Sequence, residues 1–493
     1  MERYRMQRIL GALAGVLLTL ACGQALVAAQ PAPEPPTFAP SGDLSFDEWR
    51  ADFARRAVAR GRDPEVLGRL LSGITPDPRI VELDQRQPEF VSPVWDYVTN
   101  RVTANRIDGG RNLKAAINPT LEAVQARYGV PSGIILGVWG LESNYGEAAL
   151  NYSAAAALAT LAHEGRRRAQ FEGYLLALAE MVERGLADPA QLRSSWAGAL
   201  GQPQFMPDVY LTTAVDFDND GRRDIWNNRG DVAASIAHYL SDRGWRANEP
   251  VFEEARLPSG FDYALADGTL RTVADWAERG VAPIGGGAWP EAHLGLQAQL
   301  FLPAGAQGPA LLLHHNFGVI RRYNNSDRYA LVVALLARAF DGREGLVQSW
   351  PRQLGSLTRE QILELQTLLN GLGYQAGEPD GLFGSRTRTA VRGFQASQNL
   401  AADGFPTASL LDQVRVRAGV TPEPPRTPRG LDRAGVRELQ RLLRRLGHEP
   451  GAADGLIGER TREAIRAFER GRNMEVRGRA TDVVLEAARA AAG

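Results

Sequence analysis

The feature that most limits what this chain can fold into is a repeat. The string "LELQTLLNGLGYQAGEPDGLFGSRTRTAVRGFQ" at 363–395 returns as "RELQRLLRRLGHEPGAADGLIGERTREAIRAFE" at 437–469, register for register, at an offset of 74 residues. Each copy reads as a helix, a tight Asp-Gly turn and a second helix, with Leu, Ala or Val, and Phe on one face. On pattern alone this is a duplicated helical bundle that could serve only as a spacer. The expected boundaries are 356–415 for the first copy and 431–491 for the second. Residues 416–430 join them and include the linker "TPEPPRTP" at 421–428.

At the other end, Arg3, Arg5 and Arg8 precede an uncharged stretch, Ile9 to Ala21. It is too short to span a bilayer and reads as the apolar region of a signal peptide, so export is expected. Two processing routes compete. Cleavage after Ala29, behind the small residues Val27 and Ala29, makes residues 1–29 the signal peptide; lipid attachment at Cys22 within "LLTLAC" makes the product an outer-membrane lipoprotein. Cys22 is the only cysteine, which rules out an internal disulfide, although Thr19 stands where a lipobox usually has Leu. Either route puts the mature protein outside the cytoplasm, with the periplasm expected. The stretch "QPAPEPPTFAPSG" at 30–42 reads as an extended, flexible tether.

Residues 43–342 form the main domain, and a mainly α fold is expected. Phe46 to about Arg184 is helical in pattern, Asn248 to Ala304 carries Gly, Pro and short apolar runs that suggest a small strand-bearing insertion, and "SDRYALVVALLARAFDG" is helical again. The chain's 493 residues suggest two to four domains. Its 56 basic and 57 acidic residues leave a formal charge of -1, which argues against nucleic-acid binding driven by overall charge.

Within this domain, "GVWGLESNYGEAAL" at 137–150 sets a single carboxylate at the end of an apolar run. A helix over Ile134–Ser143 puts Ile135, Val138 or Trp139, and Glu142 on the core-facing side, with Pro131 at its start and Gly146 past its end. A half-buried carboxyl group loses hydration, stays protonated toward neutral pH and becomes a general acid. The alternative is a glutamate reaching solvent from the last turn. Downstream, Ser194 to Leu240 concentrates glycines, aromatics and amides, the groups that recognise sugar hydroxyls around flat apolar faces. Inside it, Asp216, Asp218 and Asp220 alternate before Gly221, like the opening of a calcium loop, with Arg222 able to offer a backbone carbonyl. Position twelve is Asn227 rather than Glu, so an Asx-rich turn without metal is the competing reading. Three carboxylates in five residues repel one another, which favours a structural calcium. No HExxH or GxSxG string occurs, and no organic cofactor is expected.

Taken in order, "LDQRQPEF" (83–90), "GLESNYG", "LATLAHEGRR", "SWAGALGQPQFMP", "DFDNDGRRDIW" and "YNNSDRYA" (323–330) resemble the B-type lytic murein transglycosylases. The likeness covers most of residues 44–342. The repeats resemble three-helix peptidoglycan-binding modules in their "LQ", "DGLFG" and "AVRGFQ" strings. The resemblance implies a lysozyme-like α catalytic domain with a small strand-containing insertion, followed by two small three-helix peptidoglycan-binding domains. It implies cleavage of the MurNAc-GlcNAc β-1,4 bond in peptidoglycan strands with a 1,6-anhydroMurNAc product, Glu142 serving as the one acid and base. It further implies sugar contacts at Ser195, Gln204, Tyr239, Asn324 and Tyr329, and Asp231 as the carboxylate closing the calcium loop of Asp216, Asp218, Asp220 and Arg222. Two alternatives remain: a lysozyme-type muramidase that uses water and a second carboxylate, and a wall-binding protein without catalysis. The two modules are expected to act as tethered anchors that raise local substrate concentration without touching the chemistry.

Overall fold

The first helix begins where Asp43 can cap it. Its side chain accepts from the Phe46 N–H and starts the helix Leu44–Ala59, a cap of a kind that contributes about 1 kcal/mol. The computed structural model describes residues 33–85, 93–343, 345–355, 357–420, 429–472, 474 and 476–492. The signal peptide, Cys22, residues 86–90 of "LDQRQPEF" and the 421–428 linker lie outside the described residues. Among the described residues, no helix is long and apolar enough to cross a membrane.

Residues 33–42 carry no helix or strand, but they are not a loose tether. Phe38 packs against the main core. Arg50, only 1% exposed, donates to the carbonyls of Ala39 at 2.7 Å and Leu71 at 3.2 Å and lies 4.7 Å from the Phe38 ring centroid. A buried guanidinium bonded to two backbone carbonyls and to Asp47 Oδ1 at 2.6 Å holds the chain that supplies them.

The centre of the main domain is the helix Ser132–Ser143. Every residue from Gly133 to Gly140 is buried, so this helix is enclosed on all sides rather than on one face. It packs closely on the helix Asp327–Phe340. A Cβ at Gly137 would lie 2.7 Å from the Val333 carbonyl oxygen, and one at Gly133 would lie 3.2 Å from that of Ala337. Two glycines four residues apart thus cut the notch in which the second helix rests.

The strand-bearing insertion is a five-stranded antiparallel sheet. Its order is Arg271–Thr272, Gln297–Phe301, Ala310–His314, Phe252–Arg256, Ala282–Pro283. It has its own core, including Trp276, Trp289, Leu300 and Leu312. The strand Ala310–His314 lies past Ala304, where the sequence pattern suggested the insertion ends. All five of its residues are buried, so it shows no alternation to read.

Both repeats are three-helix units with separate cores. The first has helices Arg359–Gly371, Ser385–Ser397 and Ala408–Arg417, the last running past 415; the second has Arg433–Arg445, Glu459–Gly471 and Asp482–Ala492. Their shared "LQ" and "DG" strings form one network. Buried Gln366 donates to Asp380 Oδ1 and the Leu382 carbonyl, both at 3.0 Å, and accepts from the Gly381 N–H at 2.9 Å. Gln440 does the same with Asp454, Leu456 and Gly455.

The first repeat is docked on the main domain, a contact that the expectation of two tethered anchors did not include. Asp403 Oδ2 accepts the Ala306 N–H at 2.7 Å, Arg392 donates to the Ala266 carbonyl at 2.8 Å, and Phe405 packs against the main core with its ring 6.4 Å from that of Trp95.

Candidate active site

The helix Ser132–Ser143 ends because Asn144 turns left-handed at φ 49°, and Tyr145 and Gly146 follow at 61° and 91°. Gly146 was the expected stop; the reversal starts two residues earlier. Asn tolerates this region better than most residues. Glu142 thus sits in the last turn, half-buried. The Tyr145 hydroxyl donates to the Arg106 carbonyl at 2.7 Å, and Arg106 Nε donates to the Gly140 carbonyl at 2.9 Å. These bonds hold the end of the helix in place.

Across the glycine notch, Ser326 caps the helix Asp327–Phe340 by accepting from the Tyr329 N–H. The Tyr329 hydroxyl donates to Glu142 Oε1 at 2.6 Å. Burial, followed by the Glu142 charge, holds the Tyr329 phenol well above the ordinary tyrosine range. The phenol therefore stays a donor at any physiological pH.

Tyr323, which the sequence reading passed over, is central. Its ring lies parallel to that of Tyr329 at 6.5 Å and 4.6 Å from that of Tyr239. Its hydroxyl donates to the Pro203 carbonyl at 2.7 Å, and burial, then Glu142, pushes its phenol well up too. The Tyr239 hydroxyl donates to the Arg322 carbonyl at 2.6 Å, and the Arg243 guanidinium lies 4.0 Å from its ring. Phe205 adjoins both Tyr239 and Tyr323. The result is a row of aromatic rings that leads to one carboxyl group. The signal for Tyr323 was its place at the end of the helix His315–Tyr323, just before the "NNSD" cap of the next.

Of the other expected contacts, Gln204 and Asn324 adjoin this row in the chain. Gln204, at φ 55°, sits between Pro203 and Phe205 and folds its amide onto the Gly201 carbonyl at 2.8 Å. Ser195 follows a two-residue antiparallel pairing of Tyr152–Ser153 with Arg193–Ser194, and its Oγ accepts from the Ala199 N–H at 3.3 Å. Asn324 is exposed, directly after Tyr323. Gln202 was not foreseen: its Oε1 accepts from Trp139 Nε1 at 2.8 Å and its Nε2 donates to the Trp226 carbonyl at 2.6 Å. It ties the central helix to the acidic loop.

In that loop Asp216, Asp218 and Asp231 each bring a carboxylate oxygen within 4.8 Å of the others. Asp231 comes from the first turn of the helix Arg229–Asp242 and is fully buried. Burial pushes its carboxyl up, and the charges of Asp218 and Asp216 add to the effect despite bonds from the Phe217 and Asp224 N–H groups. Asp220 falls outside this group of carboxylates: its Oδ1 accepts the Arg222 N–H at 2.8 Å and shapes the turn. Three converging carboxylates, one of them buried and destabilised by the other two, suit a hard, oxygen-seeking divalent cation.

The lysozyme-like helical domain thus carries a half-buried carboxyl at the end of its central helix, held by a buried tyrosine beside an aromatic row. Residues 45–338 match the transglycosylase SLT domain, and residues 358–414 and 432–487 each match a putative peptidoglycan binding domain. Membrane-bound lytic murein transglycosylase B of Escherichia coli (strain K12) is 34% identical over 317 residues, covering 60% of this chain and 84% of that protein. The crystal structure of SltB3 from Pseudomonas aeruginosa in complex with NAG-anhNAM-pentapeptide is 43% identical with a TM-score of 0.72, over 76% of this chain and 100% of that one. Escherichia coli lytic transglycosylase Slt35 in complex with calcium is 28% identical with a TM-score of 0.50, over 61% of this chain and 94% of that one. The chain belongs to the transglycosylase SLT domain family, as a B-type lytic transglycosylase with two C-terminal peptidoglycan-binding modules.

Proposed function

We propose that this enzyme cleaves the MurNAc-GlcNAc β-1,4 bond of peptidoglycan and leaves 1,6-anhydroMurNAc, with Glu142 as the single acid and base. The observation that carries the assignment is the 2.6 Å bond from Tyr329 to a half-buried Glu142. Protonated Glu142 gives its proton to the glycosidic oxygen as the C1–O bond breaks. The carboxylate then takes the proton of the muramoyl C6 hydroxyl as that oxygen closes on C1, so Glu142 ends protonated and no water is consumed. An intramolecular nucleophile needs no second carboxylate to activate it, unlike the paired acids of ordinary glycosidases. Tyr329 steadies the carboxylate between the two transfers, because a donor to the charged form favours it.

The half-buried Tyr323 ring, backed by the buried rings of Phe205 and Tyr239, offers an apolar face to a sugar, with Gln204, Ser195 and Asn324 as partners for hydroxyl and acetamido groups. The pentapeptide-bearing glycans in the Pseudomonas aeruginosa complexes support the same substrate class. Peptidoglycan as substrate means the enzyme works in the cell envelope; export to the periplasm, soluble or acylated at Cys22, follows the sequence reading. Asp216, Asp218 and Asp231 would hold a structural calcium joining the loop to the helix Arg229–Asp242, a reading supported by the Escherichia coli calcium complex. The test is Glu142→Gln, which keeps size but cannot deliver a proton. It should abolish nearly all lysis while leaving the melting temperature and wall binding unchanged; near wild-type lysis would sink the assignment.

A further inference from the structure

The helix Val94–Arg101 packs on the helix that carries Tyr329. It buries Trp95 and Tyr97, and Tyr97 is near enough for its phenol to act electrostatically on that of Tyr329. The outer side of this short helix is braced by residues from beyond the main domain. Phe405 of the first repeat meets Trp95. Arg352, in the connection to that repeat, donates to Thr99 Oγ1 at 2.6 Å and lies 3.7 Å from Asp96 Oδ1.

The docking loop is built for this contact. Asp403 is buried, and its Oδ1 accepts from Gln395 Nε2 at 2.7 Å while its Oδ2 takes the Ala306 N–H at 2.7 Å. Gly305 lets the loop close: a Cβ there would fall 2.6 Å from both Asp403 Oδ2 and Phe405 Cβ. The second repeat lacks these residues. At the 74-residue offset, Asp403 and Phe405 become Arg477 and Arg479, both exposed, and Gln395 becomes Glu469. Glu469 Oε2 turns inward to the N–H groups of Arg477 and Gly478. The second repeat's core draws only on its own residues, whereas Phe405 joins the core of the main domain.

We propose that the two repeats have divided their work. The first belongs to the catalytic unit, with Phe405 a positioning residue for the Glu142–Tyr329 pair through Trp95 and the helix Val94–Arg101; the second is the wall anchor. The inference rests on the reading of Glu142 as the acid. A small displacement of a reacting group from outside the site is enough to slow chemistry.

The test is Phe405→Arg in the full chain, assayed on soluble glycan-peptide fragments and on insoluble sacculi. The expected result is a kcat about tenfold to a hundredfold lower, with KM and sacculus binding little changed. The alkaline limb of the pH–rate profile should move up, as expected for loss of the Tyr329 bond to Glu142 in Tyr329→Phe. Phe405→Tyr should restore most of the rate, and Arg352→Ala, which removes the second brace without touching the docking loop, should lower kcat in the same way. A chain ended at Val420, which leaves the other cores complete, should keep kcat on soluble fragments and lose sacculus binding. Wild-type kcat and pH profile in both Phe405→Arg and Arg352→Ala would overturn the positioning role, and full sacculus binding by the shortened chain would overturn the anchor. Activity that survives Glu142→Gln would instead overturn the reading of Glu142 beneath the proposal.

Discussion

The Tyr329 hydroxyl reaches Glu142 Oε1 at 2.6 Å across the seam between two closely packed helices. The carboxyl group is therefore held by a side chain that does not titrate in the working range. Removing that donor in Tyr329→Phe takes away a bond that favours the ionised form. Glu142 should then stay protonated to higher pH, so the alkaline limb of the pH–rate profile moves up. The rate at the optimum should fall by about tenfold to a hundredfold, because the carboxylate is less well placed. A profile that superimposes on the wild type would mean the bond does not serve the chemistry.

The seam itself depends on Gly137. A methyl group there would lie 2.7 Å from the Val333 carbonyl oxygen, inside contact distance, so the helices must separate. Gly137→Ala should lower stability by about 1–3 kcal/mol and also reduce activity by parting Tyr329 from Glu142. Thermal melts and rate assays on one preparation check both. An unchanged melting temperature would show that the notch is not needed.

Much of this site was legible in the sequence. Glu142 stood out as one acid ending an apolar helix, and the aspartates of the loop stood out by alternation. Other parts depend on contacts between distant segments. Nothing in "YNNSDRYA" says that Tyr323 packs against Tyr239, since that needs two helices brought together. The docking of Phe405 on Trp95 joins positions 310 residues apart, and only its loss from the second repeat marks it in hindsight. The proline-rich stretch before Asp43 has the composition of a tether, but buried Arg50 fixes it. Its composition could not reveal that partner.

Alkaline stability offers an independent check. Burial raises the folded-state pKa of Tyr323 and Tyr329 well above the unfolded value. Such groups contribute stability that is fully present below the unfolded phenol value of about 10 and is lost as pH rises beyond it. The melting temperature should therefore hold to about pH 10 and then fall. In Tyr323→Phe the loss above that point should be shallower, by up to about 1.4 kcal/mol per pH unit. Identical slopes would mean that Tyr323 is not buried in solution.

Calcium should raise the melting temperature, by mass action, to the extent of about 2.7 kcal/mol at a concentration 100 times the dissociation constant. Asp216→Ala with Asp218→Ala should abolish the gain, whereas Asp220→Ala should keep most of it, since Asp220 lies outside the converging carboxylates and bonds the Arg222 N–H. Magnesium should do less, as it favours a smaller and more rigid shell. A thermal scan with chelator, calcium and magnesium in turn decides; no shift with calcium at millimolar levels would leave the loop an acidic turn without metal.

The most direct test of the account is mass spectrometry of the fragments released from purified sacculi, with Glu142→Gln run beside the wild type. Cleavage by one acid and an internal hydroxyl predicts products ending in 1,6-anhydroMurNAc, one water lighter than hydrolysed ends, and none from the variant. Fragments ending mainly in reducing MurNAc would contradict it and point to a water-using muramidase with a second carboxylate.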